Sequence, residues 1–324
     1  LFNAGTAFDE GCWEPSMVQL PSGELQLFFS NEYLVKNNNQ NISMMRSFNN
    51  GTTWKKHEVI SFRNGSRDGM PVPLLLHGGK DLVFSIEDNG LKGTFKPVIV
   101  HTSLADNWRS GTVTGTSNKR WPALCPEEDL AADIYAGAPY LIQLSTGETI
   151  LSVQSGEGRE TPSVLDHALM QVYVGDSTAH GFKCKSTPFP FVGNGATNVL
   201  WNALCQIDDS TVMATSYISG LPKDNGVWTV TGRIMKPLRA VKLKRGETWG
   251  EDKSSLFIGG SSQANVTVKS MWDNDSLYFH FEVKDHDIEA SPIGGAPCDA
   301  DGIEIFLDPQ KHASATLVSG LYKF

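Results

Sequence analysis

Long apolar runs are missing from this chain of 324 residues: none approaches the roughly 18 residues that a membrane-crossing helix needs, so no membrane span is expected. Cysteine is sparse. Its five copies, Cys12, Cys125, Cys184, Cys205 and Cys298, are scattered and odd in number, with no C-x-x-C pair, which argues against a disulfide framework or a thiolate zinc site. Positive charge is in deficit, 27 Lys and Arg against 36 Asp and Glu, and the net charge of −9 disfavours a nucleic-acid partner. Helical periodicity is close to absent. There is no HExxH, P-loop, GxSxG or dinucleotide fingerprint, so metalloprotease, NTPase, serine hydrolase and dehydrogenase chemistries lack support, and neither a metal nor a cofactor is expected. No signal peptide is legible at Leu1, although the missing initiator methionine is compatible with processing.

What is present is glycine (31 residues), aromatics (10 %) and a recurring pattern. Four segments share an apolar run, a turn and a second apolar run: EPSMVQLPSGELQLFFSNE (14–32), MPVPLLLHGGKDLVFSIE (70–87), APYLIQLSTGETILSVQSGE (138–157) and WNALCQIDDSTVMATSY (201–217). Aligned on Gly23, Gly78, Gly147 and Ser210, they recur at steps of 55, 69 and 63 residues. Each reads as a β-hairpin followed by enough chain for two more strands. Recurrence at that period marks a propeller, whose four-stranded blades bury their faces against one another. A β-sandwich is the alternative, but it does not account for the period.

Between the first two hairpins lies SFNNGTTW (47–54), with an Asn-Gly turn and a tryptophan placed to fold back over it. IVHTSLADNW (99–108) reads as a degraded copy. With Asn49 in place of aspartate, the first turn resembles the Asp-box, S-x-D-x-G-x-x-W, of sialidase-like propellers. Trp13-Glu14-Pro15, Ser30-Asn31-Glu32 and Arg67-Asp68-Gly69-Met70-Pro71 resemble the same superfamily, closest to its exo-arabinanase branch and bacterial relatives with W-E-P and G-M-P signatures. The resemblance covers about residues 1–238 and implies an all-β, six-bladed propeller, of which four repeats are legible, with further strands expected before Leu1 or in irregular segments. It also implies that the Asp-box turn is structural and joins the two outer strands of a blade. After Pro237 the pattern changes. SLYFHFEVKDHDI (276–288) and CDADGIEIFLDPQ (298–310) resemble family-nine carbohydrate-binding modules, β-sandwiches of secreted polysaccharide-degrading proteins, so residues 239–324 are expected to form a partial module. Trp272 is either a sugar-stacking or a core residue there, and the turns around Asp285/Asp287 and Asp299/Asp301 are solvated or calcium-holding.

In a propeller the start of each first strand and the end of each second strand converge on one mouth. By that logic Glu14, Glu32, Asp68, Glu87 and Glu157 share a face, with Arg63, Arg67, Asp88, Tyr135, Arg159 and Tyr217 on its rim. Alignment on the turn glycines makes Glu32 and Glu87 equivalent, with Glu157 one place later. Paired carboxyl groups of divergent pKa are what glycosidic cleavage requires. The expected catalytic set is Glu87, Glu157, Glu14 and Asp68, Glu87 also matching by resemblance a catalytic glutamate of the arabinanase branch. The expected substrate-binding set is Glu32, Arg67, Asp88, Arg159 and Tyr217. His167 reads as a packing or hydrogen-bonding residue. These features predict an exo-acting glycoside hydrolase, monomeric, secreted or periplasmic, with a carbohydrate substrate. The alternatives are a sialidase, for whose arginine clamp Arg63, Arg67, Arg120 and Arg159 are available, or a carbohydrate-binding propeller without catalysis.

Overall fold

The β-branched and aromatic runs form strands in a computed structural model, which describes residues 11–33, 39–189, 197–208, 211–221, 223–233, 241–242, 255–258, 265–285, 305–307 and 322–323. Contacts divide the chain into two units, residues 1–206 with 213–232, and residues 207–212 with 233–324.

The first unit is a propeller arrangement of antiparallel blades. Blade one contains β1 (Cys12–Gln19), β2 (Leu25–Asn31), β3 (Asn41–Ser47) and β4 (Glu58–Phe62). Blade two contains β5 (Asp68–Leu75), β6 (Asp81–Lys92), β7 (Thr94–Ser103) and, after β8 (Val113–Thr114), which extends blade one alongside β4, β9 (Arg120–Pro122). Blade three contains β10 (Ala136–Gln143), β11 (Thr149–Ser155), β12 (Leu169–Gly175) and β13 (Lys183–Ser186); blade four contains β14 (Asn198–Gln206), β15 (Thr211–Ser219) and β16 (Gly226–Arg233). The four hairpins read from the sequence are the inner halves of these blades. The blade count differs from the expected six: among the described residues there are four, because the four repeats take up every strand between Cys12 and Arg233.

The inner strands touch in succession, β1 with β5, β5 with β10 and β10 with β14, and apolar side chains fill the spaces between blades. Phe28, Phe84 and Trp108 pack with ring centroids 5.1–6.0 Å apart between blades one and two. Val83, Ile99, Leu141, Leu151 and Tyr173 do the same between blades two and three. Each fully buried side chain of this size contributes about 1.5–3 kcal/mol, so a blade is stabilised mainly by its neighbours.

Every inner strand carries one residue of positive φ. Glu14, Met70, Ala138 and Trp201 have φ of 56°, 53°, 46° and 57°, and the register of β1, β5 and β10 shifts there. The next residue is proline in three cases (Pro15, Pro71, Pro139) and Asn202 in the fourth. These bulges turn a backbone N–H out of its own ladder, and each is the sixth residue before the one that opens the hairpin turn (Leu20, Leu76, Leu144, Ile207).

The turns also fix which residues are equivalent. Leu20 N–H to Glu24 O, Leu144 N–H to Glu148 O and Ile207 N–H to Thr211 O close turns of one length, whereas Leu76 N–H to Asp81 O spans one residue more. The expected equivalence of Glu32 with Glu87 is therefore corrected. Strand pairing sets Ser30 opposite Trp13, Glu87 opposite Gly69 and Gln154 opposite Gly137, so Ser30, Glu87 and Gln154 are the matching residues, and the same count from the turn reaches Tyr217.

SFNNGTTW joins the outer strands β3 and β4, as expected. Asn49 Oδ1 accepts from Thr53 N–H (2.9 Å) and from the Ser47 hydroxyl, whose oxygen accepts Gly51 N–H (2.9 Å). Gly51 (φ 80°) lies against Trp54 and Leu25. In IVHTSLADNW, Asp106 has the capping role: hydrogen bonds from Ser110, Lys119 and Thr102 hold its carboxyl well below the usual range, and Trp108 is buried. Asn49→Ala is expected to cost about 1–2 kcal/mol, and Asn49→Asp to be nearly neutral, in denaturant unfolding.

In the second unit β19 (Asn265–Trp272) is flanked by β18 (Ser255–Ile258) and β20 (Leu277–Lys284), and β17 (Val241–Lys242) runs parallel to it; β21 (Phe306–Leu307) pairs with β22 (Tyr322–Lys323). The described residues establish these two sheets and no second layer of the expected sandwich. Trp272 is half-exposed, with the Lys242 ammonium 4.9 Å from its ring centre. Asp287, Cys298, Asp299 and Asp301 lie outside the described residues.

Candidate active site

The bulges and the ends of the second strands meet at one end of the blades, and the outturned N–H of the second, third and fourth blades is received by the blade before. Met70 N–H donates to Glu14 Oε2 (2.9 Å) and to Ser30 Oγ (2.9 Å). Ala138 N–H donates to Glu87 Oε2 (2.9 Å), and Trp201 N–H to Gln154 Oε1 (2.9 Å). A structural feature of the repeat thus carries side chains from four separate segments to the mouth.

Glu87 is a strongly perturbed carboxyl there. Only 9 % of the residue is exposed, and burial raises its pKa from 4.5 to about 7. The negative Glu14 nearby adds to this rise, while Ala138 N–H, the Tyr135 hydroxyl and the charge of Arg67 oppose it. Glu14 itself is exposed and takes a 2.7 Å hydrogen bond from the Ser30 hydroxyl besides that from Met70. Two carboxyl groups within electrostatic reach, one buried and one solvated, are the arrangement that separates acid from base.

Beside them Glu32 forms an ion pair with Arg67 and accepts the Trp13 indole N–H (3.1 Å). Trp13 and Trp201 are about half exposed at the same mouth, and Tyr217 is exposed on β15. Neither tryptophan was singled out by sequence reasoning as a ligand contact; the signal for Trp13 was its place in W-E-P.

The remaining predicted residues are placed differently. Asp68 and Asp88 are fully buried beneath the mouth. Asp68 accepts two hydrogen bonds from Arg120 (2.6 and 2.7 Å) and one from Ser61 (2.8 Å), and Asp88 is gripped by Arg120 and by Arg63 (2.9 Å). Burial pushes the Asp68 carboxyl up, against the Arg120 bonds. Glu157 follows β11 at the same end but leans over the outer strands, accepting from Lys185 Nζ and Gln171 Nε2 (2.8 Å each). Arg159 donates to Thr197 O (2.8 Å) ahead of β14. His167 contacts the Thr161 hydroxyl through Nδ1. The mouth therefore unites Glu14, Glu87, Glu32 and Arg67, sets Asp68 and Asp88 below them, and leaves Glu157 paired over β12 and β13.

Two glycines make room for Glu87. A Cβ on Gly137 would lie well inside van der Waals contact of Glu87 Oε2 and the Tyr135 oxygen, and one on Gly69 would press on the Glu87 side chain at 3.1–3.2 Å. Gly137→Ala is expected to displace Glu87 and Tyr135 and cost roughly 1–3 kcal/mol in denaturant unfolding, with the fold retained by circular dichroism.

Comparison with known proteins follows this division. The family model described as carbohydrate family 9 binding domain-like matches residues 248–320. The sequence matches none of the curated proteins compared with it. In structure, the chain is similar to a Dyadobacter fermentans protein described as of unknown function, with a TM-score of 0.52 and 11 % identity over 69 % of this chain and 54 % of that one. The chain thus spans about half the length of that structure. A GH93 α-L-arabinofuranosidase of Fusarium graminearum with arabinobiose matches at a TM-score of 0.40 and 15 % identity, covering 71 % and 79 % of the two chains. An α-L-arabinofuranosidase from Lactobacillus brevis matches at 0.48 and 15 %, covering 72 % and 75 %. The resemblance read from the sequence holds at this level: a propeller arrangement, followed by a segment similar to family-nine carbohydrate-binding domains.

Proposed function

We propose that the mouth of the propeller is the active site of an exo-acting glycoside hydrolase, secreted or periplasmic, that removes terminal sugars from oligo- or polysaccharides. The observation that carries this reading is the pairing of Glu87, buried and half-protonated near neutral pH, with the solvated, hydrogen-bonded Glu14. Glu87 donates its proton to the leaving glycosidic oxygen. Glu14 is the carboxylate that stabilises the developing positive charge of the sugar ring and acts as its nucleophile or base. Glu32 and Arg67 bind sugar hydroxyls, and the half-exposed faces of Trp13, Trp201 and Tyr217 stack on sugar rings. Asp68, Asp88 and Arg120 form the floor that holds these groups in place. The match of residues 248–320 to carbohydrate-binding domains supports the same ligand class.

A panel of aryl glycosides including arabinosides and a sialoside tests the proposal. Hydrolysis of one class, with kcat/KM falling as pH rises through about 7, is expected from the state of Glu87. Saturable sugar binding without release of the aryl group from any member would overturn it in favour of a binding propeller.

A further inference from the structure

We propose that Gln154 is a positioning residue for the carboxyl of Glu87, acting through the hydroxyl of Tyr135. This deepens the reading of Glu87 as the proton donor and rests on it for its catalytic meaning.

Two hydrogen bonds in series and one close approach carry the inference. Trp201 N–H points at Gln154 Oε1 (2.9 Å). A backbone N–H can only donate, so the amide oxygen of Gln154 must face blade four and its NH2 must face the other way. That NH2 donates to the Tyr135 oxygen (2.9 Å). With its oxygen receiving that bond, the phenol has its own proton to place, and the acceptor beside it is Glu87, whose Oε2 crowds the same point above Gly137 as the Tyr135 oxygen. The hydroxyl therefore donates to the carboxylate. Gln154 is fully buried and Tyr135 is 4 % exposed, so bulk water does not scramble the chain.

The consequence is a preference for the ionised form of Glu87 that partly offsets its burial. The other charged groups facing Glu87 are Glu14 on β1 and Arg67 ahead of β5; from blade three it meets the neutral Ala138 N–H on β10 and Tyr135 just before it, and Gln154 on β11 stands behind Tyr135. Gln154 holds in blade three the repeat position that Glu87 holds in blade two. One strand position thus supplies the acid in one blade and the residue that orients its partner in the next.

The test is direct titration of the Glu87 carboxyl by NMR on protein labelled with ¹³C-carboxyl glutamate, with Glu87→Gln identifying the resonance. No substrate is needed, so failure to find a hydrolysed glycoside would sink the proposed activity while leaving this measurement intact. Tyr135→Phe is expected to raise the midpoint by about half to one pH unit, the worth of one hydrogen bond. Gln154→Glu still accepts Trp201 N–H but also draws the Tyr135 proton to itself, so it raises the midpoint by at least as much. In the Tyr135→Phe background the same substitution has only its charge left to act with, and its shift is smaller. Where activity is found, the alkaline limb of kcat/KM moves by the same amounts, which loosened packing alone would not produce. Equal shifts from Gln154→Glu in both backgrounds, or no shift, would overturn the proposal. Should Gln154→Glu not fold, Gln154→Met serves: loss of the amide donor frees the hydroxyl to turn, and an unmoved midpoint again refutes the idea.

Discussion

Replacing Glu87 by Gln is expected to lower kcat by about 10²–10⁴-fold, the contribution of a positioned general acid, and to leave sugar binding nearly intact. The amide keeps the size of the side chain and can still accept Ala138 N–H through its oxygen. The same substitution has a stability signature of opposite sign. Glu87 has an ordinary value of 4.5 and a folded value of about 7, so between those pH values the folded chain binds more protons than the unfolded one. Stability from this group is present below pH 4.5 and is lost as pH rises through 7, in total about 3 kcal/mol. Glu87→Gln removes that loss. Thermal unfolding should show the variant more stable than its parent at pH 8 and no more stable at pH 4. A variant that loses activity without flattening the pH dependence would mean that Glu87 is ionised in the fold and is not the proton donor.

The hairpins were legible in the sequence because each opposes two apolar runs across a short turn, and a propeller follows from repeating that unit at a blade's length. The mouth was legible as a face for the same reason. Equivalence within it was not, because Lys80 lengthens one turn by a residue and Gly79, not Gly78, makes the turn bond that Gly23 and Gly147 make: counting from Gly78 pairs Glu87 with Glu32, whereas hydrogen bonding pairs it with Ser30 and Gln154. Charge drew attention to Glu157 in QSGEGR, while the neutral Gln154 three residues earlier was passed over, although it contacts Tyr135 and Trp201. The bulges also left a trace, since proline follows Glu14, Met70 and Ala138 and its missing N–H matches a strand that has left its ladder. Burial was the property least visible from sequence. Asp68 and Asp88 look the same in a string of letters as Glu14, and only the packing of Arg120 between them shows that they form a floor.

That floor should dominate the stability of the first two blades. Arg120, with 2 % of its side chain exposed, reaches from β9 beneath the mouth to Asp68 at the start of β5 and Asp88 on β6, and burial of its charge is more than offset by the bonds it donates to both and by their negative charges. Arg120→Met leaves two carboxylates buried with Arg63, the Ser61 hydroxyl and the Gly90 N–H as their remaining partners. Removing one side of a buried ion pair costs about 3–5 kcal/mol, since the stranded charge keeps its desolvation penalty. Chemical denaturation at pH 7 should show that loss, and lowering the pH should recover part of it as the stranded carboxyls take up protons. The triple variant Arg120→Met, Asp68→Asn, Asp88→Asn should regain most of the stability, because it strands no carboxylate and Arg63, which loses Asp88, keeps 20 % of its side chain in water. It should not regain full turnover. Asp68 and Asp88 pair across β5 and β6 beside Gly69 and Glu87, so an amide floor fixes the acid less rigidly than an ionic one. Full recovery of both stability and kcat would show that the ion pairs matter only as filled space.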